Sequence, residues 1–294
     1  MKNKLFKGVG TAIVTPFTED GINLEEFGKL IENQIENGVK AIIVCGTTGE
    51  SATMSKEEKQ TLIDYAIKKV NNRIQVIVGT GSNNTKDTIE MSKLAENAGA
   101  DGLLIVTPYY NKPTQAGLIA HYKAIAEAVN IPIMMYNVPS RTGVNIEPST
   151  CLELSKIDNI VAIKEASGNM PQVKQIDTLC GNNLDIYSGN DDQIIPVLSL
   201  GGRGVVSVIS NIMPKYTSDM LEYYWQGKTA KATSMQLEII DMVNALFCES
   251  NPIPAKCALN ELGYDYGTPR LPLLELSEPK KKVLRKVMKK HDLI

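Results

Sequence analysis

Histidine is almost missing from this chain of 294 residues: there are two, His121 and His291. They stand far apart and without metal-ligand spacing, which leaves little from which to build a catalytic zinc site or a Ser-His or Cys-His pair. The five cysteines are odd in number and contain no Cys-x-x-Cys pair, so no disulfide framework is written here. Free thiols in a reducing cytoplasm are the expectation. Neither sign of charge dominates, with Lys+Arg 31 against Asp+Glu 33 and a net charge of -2, which provides no basic footprint for nucleic acid or anionic lipid. No apolar run approaches the length of a membrane span, and Met1-Lys2-Asn3-Lys4-Leu5-Phe6 lacks a secretory core. A dinucleotide fingerprint is missing as well. The nearest match, Gly79-x-Gly81, has Asn84 where the third glycine belongs.

What the chain does have is hydrophobic content, 43%, enough for a large core, laid out as strands alternating with helices. Strand-like runs fall at residues 8–17, 40–45, 74–78, 102–106, 131–136, 159–163, 184–188 and 204–208. Between them lie helix-length segments, among them residues 23–38 with Asn23 as N-cap. A second follows the capping box Ser55-Lys56-Glu57-Glu58, and others cover 115–129, 152–157, 170–179 and 192–200. Eight βα units of this kind predict an α/β fold, a (β/α)8 TIM barrel. Residues 1–228 are expected to form the barrel. Residues 229–294 carry no strand pattern and are expected to be an appended helical region, with helices over 235–247, 255–262 and 279–291. The basic run Lys280-Lys281-Lys282 with Lys289-Lys290 is most simply a solvated helix face.

Barrel active sites form at the C-terminal ends of the strands. The sixth strand ends on Lys164 in Val161-Ala162-Ile163-Lys164-Glu165-Ala166-Ser167. Alternation puts Lys164 on the face of Ala162 and Ile160, where burial disfavours an ammonium and frees an amine to attack a carbonyl. A lysine snorkelling out at a strand end is the plainer alternative. The other strand ends contribute Thr47 and Thr48, Thr107-Pro108-Tyr109-Tyr110-Asn111, Tyr136-Asn137-Val138-Pro139-Ser140-Arg141, and Ser188-Gly189-Asn190-Asp191. Hydroxyls, one arginine and one lysine, with no histidine, suit carbonyl chemistry through an imine with tyrosine as proton carrier. Each has a structural alternative: a strand-helix turn for Gly46–Gly49, a half-buried core tyrosine for Tyr136, a surface loop residue for Arg141. Cys45 reads as a small buried core residue.

Taken together, Gly46-Thr47-Thr48-Gly49-Glu50, Tyr136-Asn137-Val138-Pro139-Ser140-Arg141-Thr142-Gly143 and Ile163-Lys164-Glu165-Ala166 resemble the pyruvate-dependent class I aldolases. Within them, over essentially the whole chain, the resemblance is to the dihydrodipicolinate synthase family. It implies a Schiff base between Lys164 and pyruvate, whose enamine condenses with L-aspartate 4-semialdehyde. It also implies proton relay by Tyr136, Thr47 and Tyr110, the last from a neighbouring subunit. Thr48 and the backbone at Gly189 and Val206 would surround pyruvate, and Arg141 would take the semialdehyde carboxylate. No metal or organic cofactor is implied. The implied assembly is a homotetramer of two tight dimers, in the cytoplasm. A sugar-acid aldolase of the same superfamily is the alternative activity, against which Arg141, Thr48 and Tyr110 all speak. A non-catalytic ligand-binding barrel is the alternative of another class, and it predicts damage among mouth residues that are intact. The family's allosteric lysine cleft would fall at Ser51, Ala52, Lys56, Lys59, Asn83, Asp87 and Tyr109. Lys56 and Lys59 depart from that pattern, which commonly has histidines in regulated bacterial members. Weak or absent feedback by lysine is the expectation.

Overall fold

The computed structural model describes residue 2 and residues 4–294. Eight strands form a single parallel sheet: β1 (Gly8–Ala12), β2 (Ala41–Val44), β3 (Gln75–Gly79), β4 (Gly102–Val106), β5 (Ile133–Asn137), β6 (Ile160–Glu165), β7 (Asp185–Ser188) and β8 (Gly204–Ser207). They hydrogen-bond in sequence order and the ring closes, giving the (β/α)8 barrel that the alternation predicts. Strands β1, β2, β5, β6 and β8 are buried along their whole length, as befits a parallel sheet covered on both faces. The helices are α1 (Leu24–Glu36), α2 (Lys56–Val70), α3 (Thr85–Ala98), α4 (Gln115–Ala126), α5 (Pro139–Thr142), α6 (Pro148–Leu154), α7 (Met170–Cys180), α8 (Ile194–Ser199), α9 (Pro214–Trp225), α10 (Thr229–Glu238), α11 (Ile240–Leu246), α12 (Ile253–Glu261) and α13 (Glu278–Lys290). No helix among the described residues is long and apolar enough to cross a membrane.

Local chemistry explains the starts. Asn23 caps α1 by accepting the Glu26 N–H at 3.2 Å. At α2 the capping box is complete: Glu58 N–H donates to Ser55 Oγ at 3.1 Å and Ser55 N–H to Glu58 Oε2 at 2.9 Å. Elsewhere the structure departs from the pattern reading. The strand expected over 8–17 stops at Ala12, and Phe17–Thr18 pairs with Gly21–Ile22 as a small hairpin. The helix expected over 152–157 begins earlier, because Pro148, with its fixed φ, starts α6. A single helix over 235–247 is replaced by α10 and α11, which break at the fully buried Ile239.

Packing divides the chain into two compact units. One comprises Gln75–Val206 with the N-terminal segment to Lys7. Its interior is formed by Ile77, Leu103, Ile105, Ile133, Met135, Ile160, Ile163 and Ile186, and Tyr122 hydroxyl is spent on the Ile105 carbonyl at 2.9 Å. The other comprises Gly8–Ile74 and Ser207–Ile294. There Asn211 accepts the Val14 N–H at 3.1 Å and donates to the Ala12 carbonyl at 2.9 Å. Leu284 and Met288 bury one face of α13, Lys281 lies half-buried on that face and pairs with Glu278, and the exposed Lys290 pairs with Asp241. The basic run is a solvated helix face.

One irregularity in the sheet decides the rest. Ile133 pairs with Ile160, but Met134 pairs with Ala162, so β6 carries one extra residue at this point. Beyond it Tyr136 stands beside Lys164 and Asn137 beside Glu165. Without that extra residue Tyr136 would pair with Ile163 and the polar side chains of the two strands would fall out of step.

Candidate active site

The register brings two of the expected catalytic residues together. Lys164, one residue before the end of β6, has 5% of its surface exposed, and its Nζ lies 4.3 Å from the centroid of the Tyr136 ring. Among the described residues Lys164 Nζ makes no ion pair. A lysine so buried, with its amine beside an aromatic face, is not the snorkelling strand-end lysine of the plainer reading. Gly189 lies next to this strand end, and its N–H donates to the Glu165 carbonyl at 2.8 Å. Val206 is buried on β8.

Arg141 sits on α5, exposed, in a loop that leaves the barrel at Asn137 and returns at Ile146. Gly143 in the left-handed region (φ 70) ends α5 and turns the chain back. The loop is fixed at its base. Asn137 Oδ1 accepts the Ile146 N–H at 2.9 Å, and Asn137 Nδ2 donates to Asn145 Oδ1 and to Glu165 Oε2, each at 2.9 Å.

Tyr110 follows β4 and is 89% exposed, at φ 72. A non-glycine residue in that region carries strain, so the backbone holds this ring out into solvent at a cost. Asn111 Nδ2 donates to the Asn83 carbonyl at 2.9 Å, tying the Tyr109–Tyr110 loop to Asn83 from the expected effector cleft. Asp87 is exposed in the first turn of α3.

Thr47, Thr48 and Glu50 belong to the turn after β2, in the other unit. Thr48 Oγ1 accepts from Asn251 Nδ2 at 2.9 Å. The hydroxyl proton of Thr48 is therefore available to another acceptor. Glu50, buried and at φ 54, pairs with the equally buried Lys256 at 2.6 Å and accepts the Arg270 N–H at 2.9 Å. Lys256 Nζ also lies 4.3 Å from the Phe17 ring centroid. Burial pushes the Lys256 pKa below its ordinary value, against the pull of Glu50. Ser51 and Ala52 continue the turn. Lys56 is exposed at the start of α2, and Lys59 is half-buried one turn on. Beside the turn, burial pushes the Cys45 thiol up to about 12, which removes it as a nucleophile near neutral pH. His121 is equally unfit as a general base, since burial lowers it to about 4 and Thr85 holds its Nδ1 at 3.0 Å.

Sequence reasoning missed Glu165, Asn145 and Gln172, and the anchors Asn251, Lys256 and Arg270. For Glu165 a signal was present: a carboxylate directly after Lys164 in a buried strand must face the opposite side and be buried there.

Comparison with known proteins identifies the family of the chain. The model of the Dihydrodipicolinate synthetase family matches residues 5–291. The chain is 52% identical over 290 residues to 4-hydroxy-tetrahydrodipicolinate synthase 1 of Clostridium acetobutylicum, covering 99% of each chain. It is 54% identical over 291 residues to 4-hydroxy-tetrahydrodipicolinate synthase of Thermoanaerobacter sp., covering 99% of this chain and 98% of the relative. Among solved structures, a monomeric dihydrodipicolinate synthase variant superposes with a TM-score of 0.97 at 44% identity over 98% of both chains.

The anchoring of the threonine turn yields a testable consequence. Replacing Lys256 by Met strips Glu50 of its buried partner and is expected to lower unfolding stability by about 3–5 kcal/mol, measured by urea denaturation. A loss of less than about 1 kcal/mol, the range of an exposed pair, would contradict the buried ion pair.

Proposed function

The chain belongs to the dihydrodipicolinate synthetase family, and on that premise we infer that it condenses pyruvate with L-aspartate 4-semialdehyde through an imine on Lys164. The enzyme is thus a carbon–oxygen lyase of lysine and diaminopimelate biosynthesis. The observation that supports this reading best is the buried Lys164 amine 4.3 Å from the ring of Tyr136. The amine attacks the keto carbon of pyruvate, and the keto oxygen leaves as water. Tyr136 gives its hydroxyl proton to the departing oxygen and then takes a methyl proton to give the enamine, whose carbon attacks the aldehyde. The amino group of the semialdehyde then displaces Lys164 as the ring closes, yielding 4-hydroxy-tetrahydrodipicolinate. A positioned tyrosine suits both proton steps.

We assign Arg141 to the semialdehyde carboxylate, which a guanidinium can grip with two parallel hydrogen bonds. Thr47 enters the relay on the strength of its motif. Thr48, with its oxygen already accepting from Asn251, has a proton to give to the pyruvate carboxylate. Gly189 and Val206 line the same ligand. Tyr110 completes the relay in a neighbouring subunit, a role that fits a ring held out at 89% exposure. The proposed assembly is a homotetramer of two tight dimers, and five free cysteines fit a reducing cytoplasm. We read residues 1–228 as the catalytic barrel and 229–294 as an appended helical region. The latter supplies Asn251, Lys256 and Arg270 to the Gly46–Glu50 turn.

Borohydride reduction in the presence of pyruvate is expected to add one reduced pyruvate to Lys164, seen by peptide mass, with loss of activity. An adduct on Lys40 or Lys112 with Lys164 unmodified would overturn the assignment. Lys164→Arg is expected to be inactive, since a guanidinium keeps its charge and cannot attack.

Free lysine is expected to inhibit weakly or not at all. Lys56 and Lys59 lie one turn apart on α2, so an incoming cationic side chain at the proposed cleft of Ser51, Ala52, Asn83, Asp87 and Tyr109 meets two ammonium groups. At intermediate dielectric that repulsion is on the order of 1–4 kcal/mol. Half-inhibition below about 1 mM L-lysine in a coupled assay would show that the repulsion is not felt.

A further inference from the structure

Glu165 is a carboxylate at 3% exposure that meets no cation among the described residues, and the reaction above does not use it. Its side chain leaves β6 on the face opposite Lys164. There Oε1 accepts the Ser167 N–H at 2.7 Å, while Oε2 accepts from Asn137 Nδ2 at 2.9 Å and from Gln172 Nε2 at 3.2 Å. Gln172 and Asn145 are joined by a reciprocal amide pair, Asn145 Nδ2 to Gln172 Oε1 at 2.8 Å and Gln172 Nε2 to Asn145 Oδ1 at 3.1 Å. Asn137 and Asn145 are the two feet of the loop that carries Arg141. Four polar side chains from β5, β6, α7 and the end of the loop therefore satisfy one another away from water. Such a network, when complete, fixes a single arrangement of its members.

We propose that Glu165, Asn137, Asn145 and Gln172 form a clasp that sets the position of Arg141 relative to the amine of Lys164, and so determines affinity for the carboxylate of the second substrate. The clasp ties both feet of the Arg141 loop to the strand that carries Lys164, so strand and loop share one reference. The charge on Glu165 matters to this design. Three N–H groups point at its two oxygens, and an amide in its place must turn an NH2 toward at least one of them. The loss falls on the loop and spares Lys164, whose side chain lies on the other face of the strand. Asn137, Asn145, Glu165 and Gln172 are positioning residues: none is needed to touch substrate.

This inference rests on the activity proposed above, and its test separates the two. Steady-state kinetics and the rate of pyruvate trapping by borohydride are measured for wild type, Glu165→Gln and Gln172→Leu. Gln172 is on α7, outside the reacting machinery, and its replacement reports on the clasp even if Glu165→Gln folds poorly. For Gln172→Leu, the KM for L-aspartate 4-semialdehyde is expected to rise by about tenfold to a hundredfold, the usual consequence of a displacement near 1 Å in a positioned group. The KM for pyruvate and the rate of adduct formation are expected to stay within about threefold of wild type, the scatter allowed to a group left in place. Added to Arg141→Leu, the same substitution is expected to raise the semialdehyde KM no further, because the group it positions is gone. An unchanged semialdehyde KM in Gln172→Leu, a parallel rise in both KM values, or full additivity with Arg141→Leu would overturn the clasp. Failure of wild type to form any pyruvate adduct would overturn the activity on which it rests.

Discussion

The pairing of β5 with β6 is the constraint on which the rest of the chemistry depends. One extra residue on β6 between Ile160 and Ala162 advances the register, so that Tyr136 meets Lys164 and Asn137 meets Glu165. Because side chains alternate along a strand, this single offset serves both faces of the sheet. One face receives an amine and a phenol ring, the other a carboxylate and an amide. A slip of one residue would set Lys164 beside Asn137 and dissolve both pairs at once. β5 and β6 are buried throughout, so a slip would leave the polar groups at their ends buried without their partners.

The two compact units handle buried charge differently. In the unit that contains Lys164, Glu165 is balanced by neutral donors and Lys164 by an aromatic face. In the other, Glu50 and Lys256 neutralise each other at 2.6 Å, with the Arg270 N–H completing the carboxylate. The latter arrangement is rigid and inert, as expected of a pair whose separation would leave a bare buried charge. An amine without an ion pair among the described residues has no counter-charge to surrender before it reacts with a carbonyl.

Much of this was legible in the residues. Strands alternating with helices eight times over are a local pattern, and barrel closure follows from their number. Lys164 stood out because a charged residue in a buried strand has to be explained. The capping box at Ser55 is written in adjacent residues. What could not be read depends on contacts between distant segments. Nothing near Glu50 announces Lys256, and nothing near Asn137 announces Gln172. The extra residue in β6 leaves no mark in a run of Ile, Val and Ala, where every register buries apolar groups. The break at Ile239 is likewise a tertiary effect, since residues on both sides favour helix. Tyr110 was singled out through the resemblance alone, and its 89% exposure and positive φ could not be read from the residues around it.

The central claim is that Lys164 activates the ligand and Tyr136 moves its proton, and isotope exchange tests it most directly. Pyruvate incubated with the enzyme in D2O, without the second substrate, should exchange its methyl protons, followed by proton NMR. Tyr136→Phe keeps the ring beneath the amine and removes the hydroxyl. It should still form the borohydride-trappable adduct but exchange about 10²–10⁴-fold more slowly, the usual worth of a positioned proton carrier. Exchange at the wild-type rate in Tyr136→Phe, or any catalysed exchange in Lys164→Arg, would contradict it.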